Sequence, residues 1–169
     1  MAKVNEGRWS ADAGADGKVL FLIGMRINSL WRVWAWLPVF VAMPRMLVEL
    51  QKNRDLGLVG RPRTLWSGRV IMVWQYWESF DKLNAYARSA DNAHLPAWRA
   101  FNRRIRDNGT VGIFHETIEL SDRTVETVYG NMPTIGLASV TGAVPAGRRG
   151  QTSGQRMKGI DEIPAVEPY

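Results

Sequence analysis

Arg69-Val-Ile-Met-Val-Trp-Gln-Tyr-Trp77 decides the fold. Read as a strand, it is apolar on both faces. Val70, Met72, Trp74 and Tyr76 point one way, while Ile71, Val73 and Trp77 point the other. A strand with one wet face would alternate apolar and polar residues. This one needs a cover on each side. Helices are expected to supply one cover and a second subunit the other. The enclosed space would be lined with aromatics and would suit a small apolar molecule.

Working outward, Lys18-Val-Leu-Phe-Leu-Ile-Gly-Met-Arg-Ile27 is a second strand that is apolar on both faces. Asn28 or Ser29 can cap the helix that follows, which carries Leu30, Trp31, Trp34 and Leu37. Pro38 and Pro44 each lack an N–H and clash one turn back, so two helical pieces are predicted, over 29–37 and 43–53. Gly57 closes this region. Leu58 to Ser67 is a strand that Pro62 confines to a sheet edge. Ser79 caps a helix through Phe80, Leu83, Tyr86 and Ala87. A further helix over 95–107 places Leu95, Trp98, Phe101 and Ile105 on one stripe. Arg99, Arg103 and Arg106 fall on its flank and read as solvated, and Asn108-Gly109 ends it. Strands over 110–120 and 123–129 follow.

The order β-α-β-β-α-β-β, with the second helix split, is the ferredoxin-like plan. The fold class is therefore α+β: an antiparallel sheet with helices on one face. Its other face is covered most simply by pairing two sheets into a dimeric α+β barrel. The expected organisation is a flexible N-terminal segment (1–17), a barrel domain (18–141) and a C-terminal tail (142–169) rich in Gly, Pro, Arg, Gln and Ser.

Composition narrows the function. The absence of cysteine excludes disulfides, thiolate metal sites and cysteine nucleophiles. The net charge of +6 is dispersed rather than gathered into a basic stripe, which argues against a nucleic-acid partner. Residues 1–17 lack the apolar core of a signal peptide, and a cytoplasmic location is expected. Val33 to Pro44 holds 12 residues without a charge. A transmembrane segment needs about 20, so this stretch reads as a buried or interfacial helix. There is no GxxxxGK or GxGxxG loop and no nucleophile elbow, so nucleotide cofactors and hydrolase triads are unsupported.

The candidate chemistry rests on few side chains. His115 sits in Gly112-Ile-Phe-His-Glu-Thr117 with Val111, Ile113 and Thr117 as face-mates, so it points inward. A neutral imidazole there can serve as a base, a donor to an oxyanion or an iron ligand, or can be a satisfied core residue. Glu116 points to the opposite face. His94 precedes a helix and is either a loop residue or a pocket rim. Two histidines 21 positions apart make a poor zinc site, but one axial histidine suffices for haem. Trp74, Tyr76 and Trp77 form an aromatic wall, or simply core, and Tyr76 offers the buried hydroxyl. Arg26 and Asn28 end the first strand, where they orient a substrate or cap the helix.

Together these segments resemble a known family. They are Phe21-Leu-Ile-Gly-Met-Arg-Ile-Asn28, Trp36-Leu-Pro38, Met43-Pro-Arg-Met46, Leu56-Gly-Leu58, Gln75-Tyr-Trp77, Ala87-Arg-Ser89, His94-Leu-Pro-Ala-Trp98 and Gly112-Ile-Phe-His-Glu-Thr117. The order of these motifs over about residues 18–138 is similar to that of the fumagillin-pathway-monooxygenase-like family of the dimeric α+β barrel superfamily. The resemblance implies a ferredoxin-like fold paired into a homodimer and an antibiotic-biosynthesis-type monooxygenase. It carries over the His115-Glu116 pair and the aromatic strand. The superfamily also includes haem proteins and non-catalytic binders, so fold alone does not assign the role. The expectation is an oxygenase without cofactor, acting on a hydrophobic polyketide- or terpenoid-type molecule. His115 and Tyr76 are the catalytic candidates. Trp74, Trp77, Arg26, Asn28, His94, Trp98 and Glu116 would contact the substrate. The alternatives are a haem enzyme with His115 or His94 as axial ligand and a hydrophobic-ligand-binding protein without catalysis.

Overall fold

The computed structural model describes residues 3–105 and 109–158. In chain order the main elements are β1 (Val4–Ala11), β2 (Val19–Ile27), α1 (Val33–Lys52), β3 (Leu58–Ser67), β4 (Val70–Trp77), α2 (Phe80–Arg88), α3 (His94–Ile105), β5 (Val111–Glu119) and β6 (Tyr129–Pro133). Four short elements follow: α4 (Ala138–Thr141), β7 (Ala143–Pro145), α5 (Ala146–Arg149) and α6 (Ser153–Lys158). The chain divides into two compact units, one over Val19–Glu119 and one from the segments on either side of it.

The central unit carries the ferredoxin-like sheet, in the order β3-β4-β2-β5 with every neighbouring pair antiparallel. Register decides what each face holds. Ile23 stands opposite Val73 on one side and His115 on the other. Side chains alternate along a strand. Phe21, Ile23, Met25, Ile71, Val73, Trp77, Ile113, His115 and Thr117 therefore share the face that the helices cover. Leu20, Leu22, Met72, Trp74, Tyr76, Phe114, Glu116 and Ile118 share the other.

Two clusters pin the helices to the sheet. Val19, Leu50, Leu58, Trp77, Leu83 and Tyr86 form one, and Met25, Ile27, Ala35, Ile71 and Val111 form the other. Fully burying an aliphatic or aromatic side chain of this size contributes about 1.5–3 kcal/mol.

The first helix departs from the sequence reading. It is continuous from Val33 to Lys52, with Pro38 and Pro44 inside it. Each proline removes one N–H, freeing the carbonyls of Trp34 and Phe40. Both prolines lie on the exposed side, and Ala35, Met46 and Leu50 are buried on the other. That packing holds the helix in one piece across both breaks. The 12-residue apolar stretch thus becomes part of a 20-residue helix that is long and apolar enough to cross a membrane, although one side of it belongs to the core. Neither Asn28 nor Ser29 caps it. The helix starts at Val33 after Arg32, with no side-chain cap.

The other helices follow the sequence closely. The Ser79 hydroxyl accepts from the Lys82 N–H at 3.2 Å and starts α2. α3 begins at His94, one residue before the expected start. Arg99 and Arg103 are exposed on it as predicted, whereas Arg106 and Asn108 lie outside the described residues.

The flanking unit corrects the expected termini. Val4–Ala11, read as a flexible lead-in, is a strand between β6 and β7. Its partners, such as Tyr129 opposite Trp9 and Val144 opposite Ser10, lie more than a hundred residues away, so no local pattern announces it. The strand expected over 123–129 is mostly turn and irregular chain, and the strand itself starts at Tyr129. The described part of the tail is folded. Arg156 is buried, pairs with Glu126 at 2.6 Å, and donates to the carbonyls of Gly150 and Gln151 at 3.1 and 2.8 Å.

Candidate functional site

A cavity of about 940 Å³ lies between the helix face of the central sheet and α1, α2 and α3. Its walls are mainly apolar: Phe21, Ile23, Val73 and Ile113 from the sheet, Val39, Phe40 and Met43 from α1, and Leu95, Trp98 and Phe101 from α3. Volume and lining match small-molecule sites, which are concave, mostly apolar and about 300–1,000 Å³. Polar groups are few. Thr64, His115 and Thr117 come from strands, Arg45 from α1, Asn84 and Arg88 from α2, and His94 from α3.

His115 is not a packed core histidine. Its side chain is exposed at the cavity wall, with its ring centroid 5.7 Å from that of Phe21. Among the described residues its imidazole makes no hydrogen bond, so both nitrogens remain available to a ligand.

His94 reaches the same cavity from the start of α3. Its Nδ1 donates to the Ala87 carbonyl at 3.0 Å, and because a carbonyl only accepts, that nitrogen carries the proton. Nε2 is left with the lone pair. The ring also meets Tyr86, centroid to centroid at 6.1 Å.

A network that sequence reasoning missed holds this corner. The Tyr86 hydroxyl donates to Glu49 Oε2 at 2.8 Å. The Ala93 N–H, at the start of α3, donates to the same carboxylate at 3.1 and 3.2 Å. Glu49 thus ties α1 to α2 and caps α3 next to His94. Burial first, and then the hydrogen bond and the charge of Glu49, push the Tyr86 phenol far above its usual range, so it stays a neutral donor. The signal was present in sequence: Glu49 is the only acid between Leu30 and Arg54, on a largely apolar helix.

The remaining candidates separate. Trp98 lines the cavity, stacked on Phe101 at 5.6 Å. Trp77 is 1% exposed, donates to Gln75 Oε1 at 3.0 Å, and is core rather than wall. Trp74 and Tyr76 lie 6.0 Å apart on the opposite face of the sheet, so Tyr76 cannot work beside His115 within one subunit. Glu116 shares that opposite face, paired in register with Leu22, and is exposed. Arg26 and Asn28 clasp each other at the strand end, and Asn28 Nδ2 donates to the Gly109 carbonyl at 2.9 Å. They brace a loop rather than face the cavity. No group of three or more His, Cys, Asp or Glu that could hold a metal occurs among the described residues.

The family model described as monooxygenase af470-like matches residues 18–137, which contain the whole cavity. The chain belongs to this family. Comparison with curated proteins finds no match. Among solved structures, aldoxime dehydratase (OxdRE) in complex with butyraldoxime is 16% identical with a TM-score of 0.64, over 83% of this chain and 44% of that one. The af470-like chain thus spans less than half of that relative, and the likeness is one of fold. SnoaB, a cofactor-independent oxygenase from Streptomyces nogalater, is 13% identical with a TM-score of 0.43, over 62% of this chain and 93% of that one. A dimeric protein of unknown function and ferredoxin-like fold from Bacteroides fragilis is also 13% identical, with a TM-score of 0.44 over 62% and 98%.

Chemically, the af470-like cavity offers one unengaged imidazole, a second imidazole held by its other nitrogen, and two guanidinium groups in an apolar surround. That set can take a proton and stabilise an anion.

Proposed function

We propose that the protein is a cofactor-free oxygenase for a hydrophobic, oxygen-bearing small molecule of polyketide or terpenoid type. One observation carries the reading: His115 stands unengaged on the wall of an apolar cavity of ligand size. The substrate would be an acidic, electron-rich ketone or phenol. His115 takes a proton from a CH₂ beside its carbonyl, and the cationic side chain of Arg88 steadies the enolate oxygen. The enolate then gives its electrons to dioxygen. One oxygen atom stays as a new carbonyl and the other leaves as water with the two hydrogens of the CH₂. No external reductant is needed.

A second reading is favoured by the hydrogen bond from His94 to Ala87. An iron-ligating histidine characteristically donates its other N–H to a carbonyl. His94 fits that pattern and would hold haem through Nε2, the iron supplying oxygen or nitrogen–oxygen chemistry when bound. The absorption spectrum of freshly purified protein separates the readings. Protein that turns over an acidic polycyclic ketone in air, with no Soret band, is the expected result. A stoichiometric Soret band overturns it. A tightly held ligand that is recovered unchanged after incubation in air would point to a binder without catalysis.

The same proposal includes a homodimer. The outer sheet face carries Leu20, Leu22, Met72, Trp74 and Phe114, with Leu65 and Ile118 exposed. The Trp74 indole N–H is buried without a partner among the described residues, which costs about 1–3 kcal/mol unless a second chain supplies an acceptor. Light scattering on the eluting protein is expected to give twice the chain mass. A single-chain mass at micromolar concentration would refute the pairing.

A further inference from the structure

The outward side of α1 is the least expected surface of the molecule. Trp31, in the turn before the helix, is 90% exposed and Trp34 is 70% exposed. Leu37, Val41 and Val48 continue the stripe at intervals of three, four and seven residues, each also exposed. A contiguous apolar strip of this kind on a folded surface marks an interaction site.

Charge says with what. Arg32, Arg45 and Lys52 are exposed along or beside the strip. The only acid of the helix, Glu49, is turned to Tyr86 and Ala93 and does not offset them. We propose that α1 lies in the surface of an anionic lipid bilayer, with Trp31 and Trp34 at the headgroup boundary and the basic side chains on phosphate. Indoles prefer that boundary, being apolar with one polar end. Interfacial helices combine an aromatic and aliphatic face with basic residues in this way.

Two alternatives fit less well. Crossing the bilayer would strip Ala35, Met46 and Leu50 from the core. Two copies packed face to face through α1 would set each cationic strip against itself, because a two-fold contact repeats the same residues on both sides. The inference does not depend on the reaction assigned to the cavity. It gives that cavity a source of hydrophobic molecules, because α1 is also one of its walls.

The test uses the full chain and vesicles of phosphatidylcholine with about one-third phosphatidylglycerol. Cosedimentation is expected with these, at least ~10-fold weaker with phosphatidylcholine alone, and reduced by about 0.5 M salt through screening. The double variant W31Q/W34Q touches neither the core clusters nor the cavity lining. It should keep its unfolding midpoint and bind at least ~10-fold more weakly. Brominated lipids should quench part of the wild-type tryptophan fluorescence, a readout independent of any variant. Absence of wild-type binding to anionic vesicles, or undiminished binding by W31Q/W34Q, overturns the proposal. So does a halving of the light-scattering mass in that variant, which would make the strip an interface between copies.

Discussion

His115→Ala is expected to lower turnover by about 10²- to 10⁴-fold, the usual loss when a general base is removed. Stability should stay within about 0.5 kcal/mol, as for an exposed side chain without buried partners. The two expectations go together because of where the residue sits. Its ring touches Phe21 on the cavity wall, is exposed there, and satisfies no buried group. Removing it opens no void and orphans no donor. His115→Gln sharpens the test, since it retains hydrogen bonding without a proton-accepting ring nitrogen. Oxygen uptake with an acidic polycyclic ketone and urea unfolding measure the two halves. A folded Gln variant with full oxygen uptake would remove His115 as the base. Tyr76→Phe is the control on the other face. Tyr76 is buried and already has an interaction of its own, so its loss should cost stability rather than turnover.

The contrast between these residues shows what the sequence could and could not reveal. Alternation along β5 placed His115 inward and Glu116 outward correctly, because parity within one strand is a local property. Parity between strands is not. Tyr76 and His115 fall on opposite faces because Ile23 stands opposite both Val73 and His115, and a register shift of one residue would have joined them. Register is fixed only when the turns and both buried faces act together. Trp77 looked like a pocket aromatic and is core because Val19, Leu50 and Leu83 close around it from other elements. The continuity of α1 across two prolines likewise comes from packing that proline chemistry does not foretell. The long-range pairing of Val4–Ala11 gives no local signal at all. Glu49 was legible as an oddity, the one acid in a largely apolar helix, but its partners at Tyr86 and Ala93 lie about forty positions away.

Gly24→Ala is expected to destabilise the protein by about 1–3 kcal/mol, the usual cost of overpacking a filled site. Gly24 lies in the middle of β2, where a glycine ordinarily weakens a strand. Here it makes room. A β-carbon on it would fall 2.6 Å from the Phe114 ring and 2.8 Å from the Ile71 carbonyl oxygen. Phe114 faces Gly24 across the β2–β5 pair, and its ring lies over the bare backbone, as aromatics do beside sheet glycines. The ring end can swing aside, but the Ile71 carbonyl is backbone of β4 and moves only with its strand. Phe114→Ala introduced with Gly24→Ala should therefore recover only part of the loss beyond the cost of Phe114→Ala alone. Gly24→Val, with two more methyl groups, should cost more than Gly24→Ala. Because Phe114 immediately precedes His115, a displaced ring should also disturb the cavity, so activity should fall with stability. Urea unfolding of the four variants measures these terms. A Gly24→Ala protein as stable as wild type would mean that Phe114 and the β2–β4 ladder yield more freely than this packing allows.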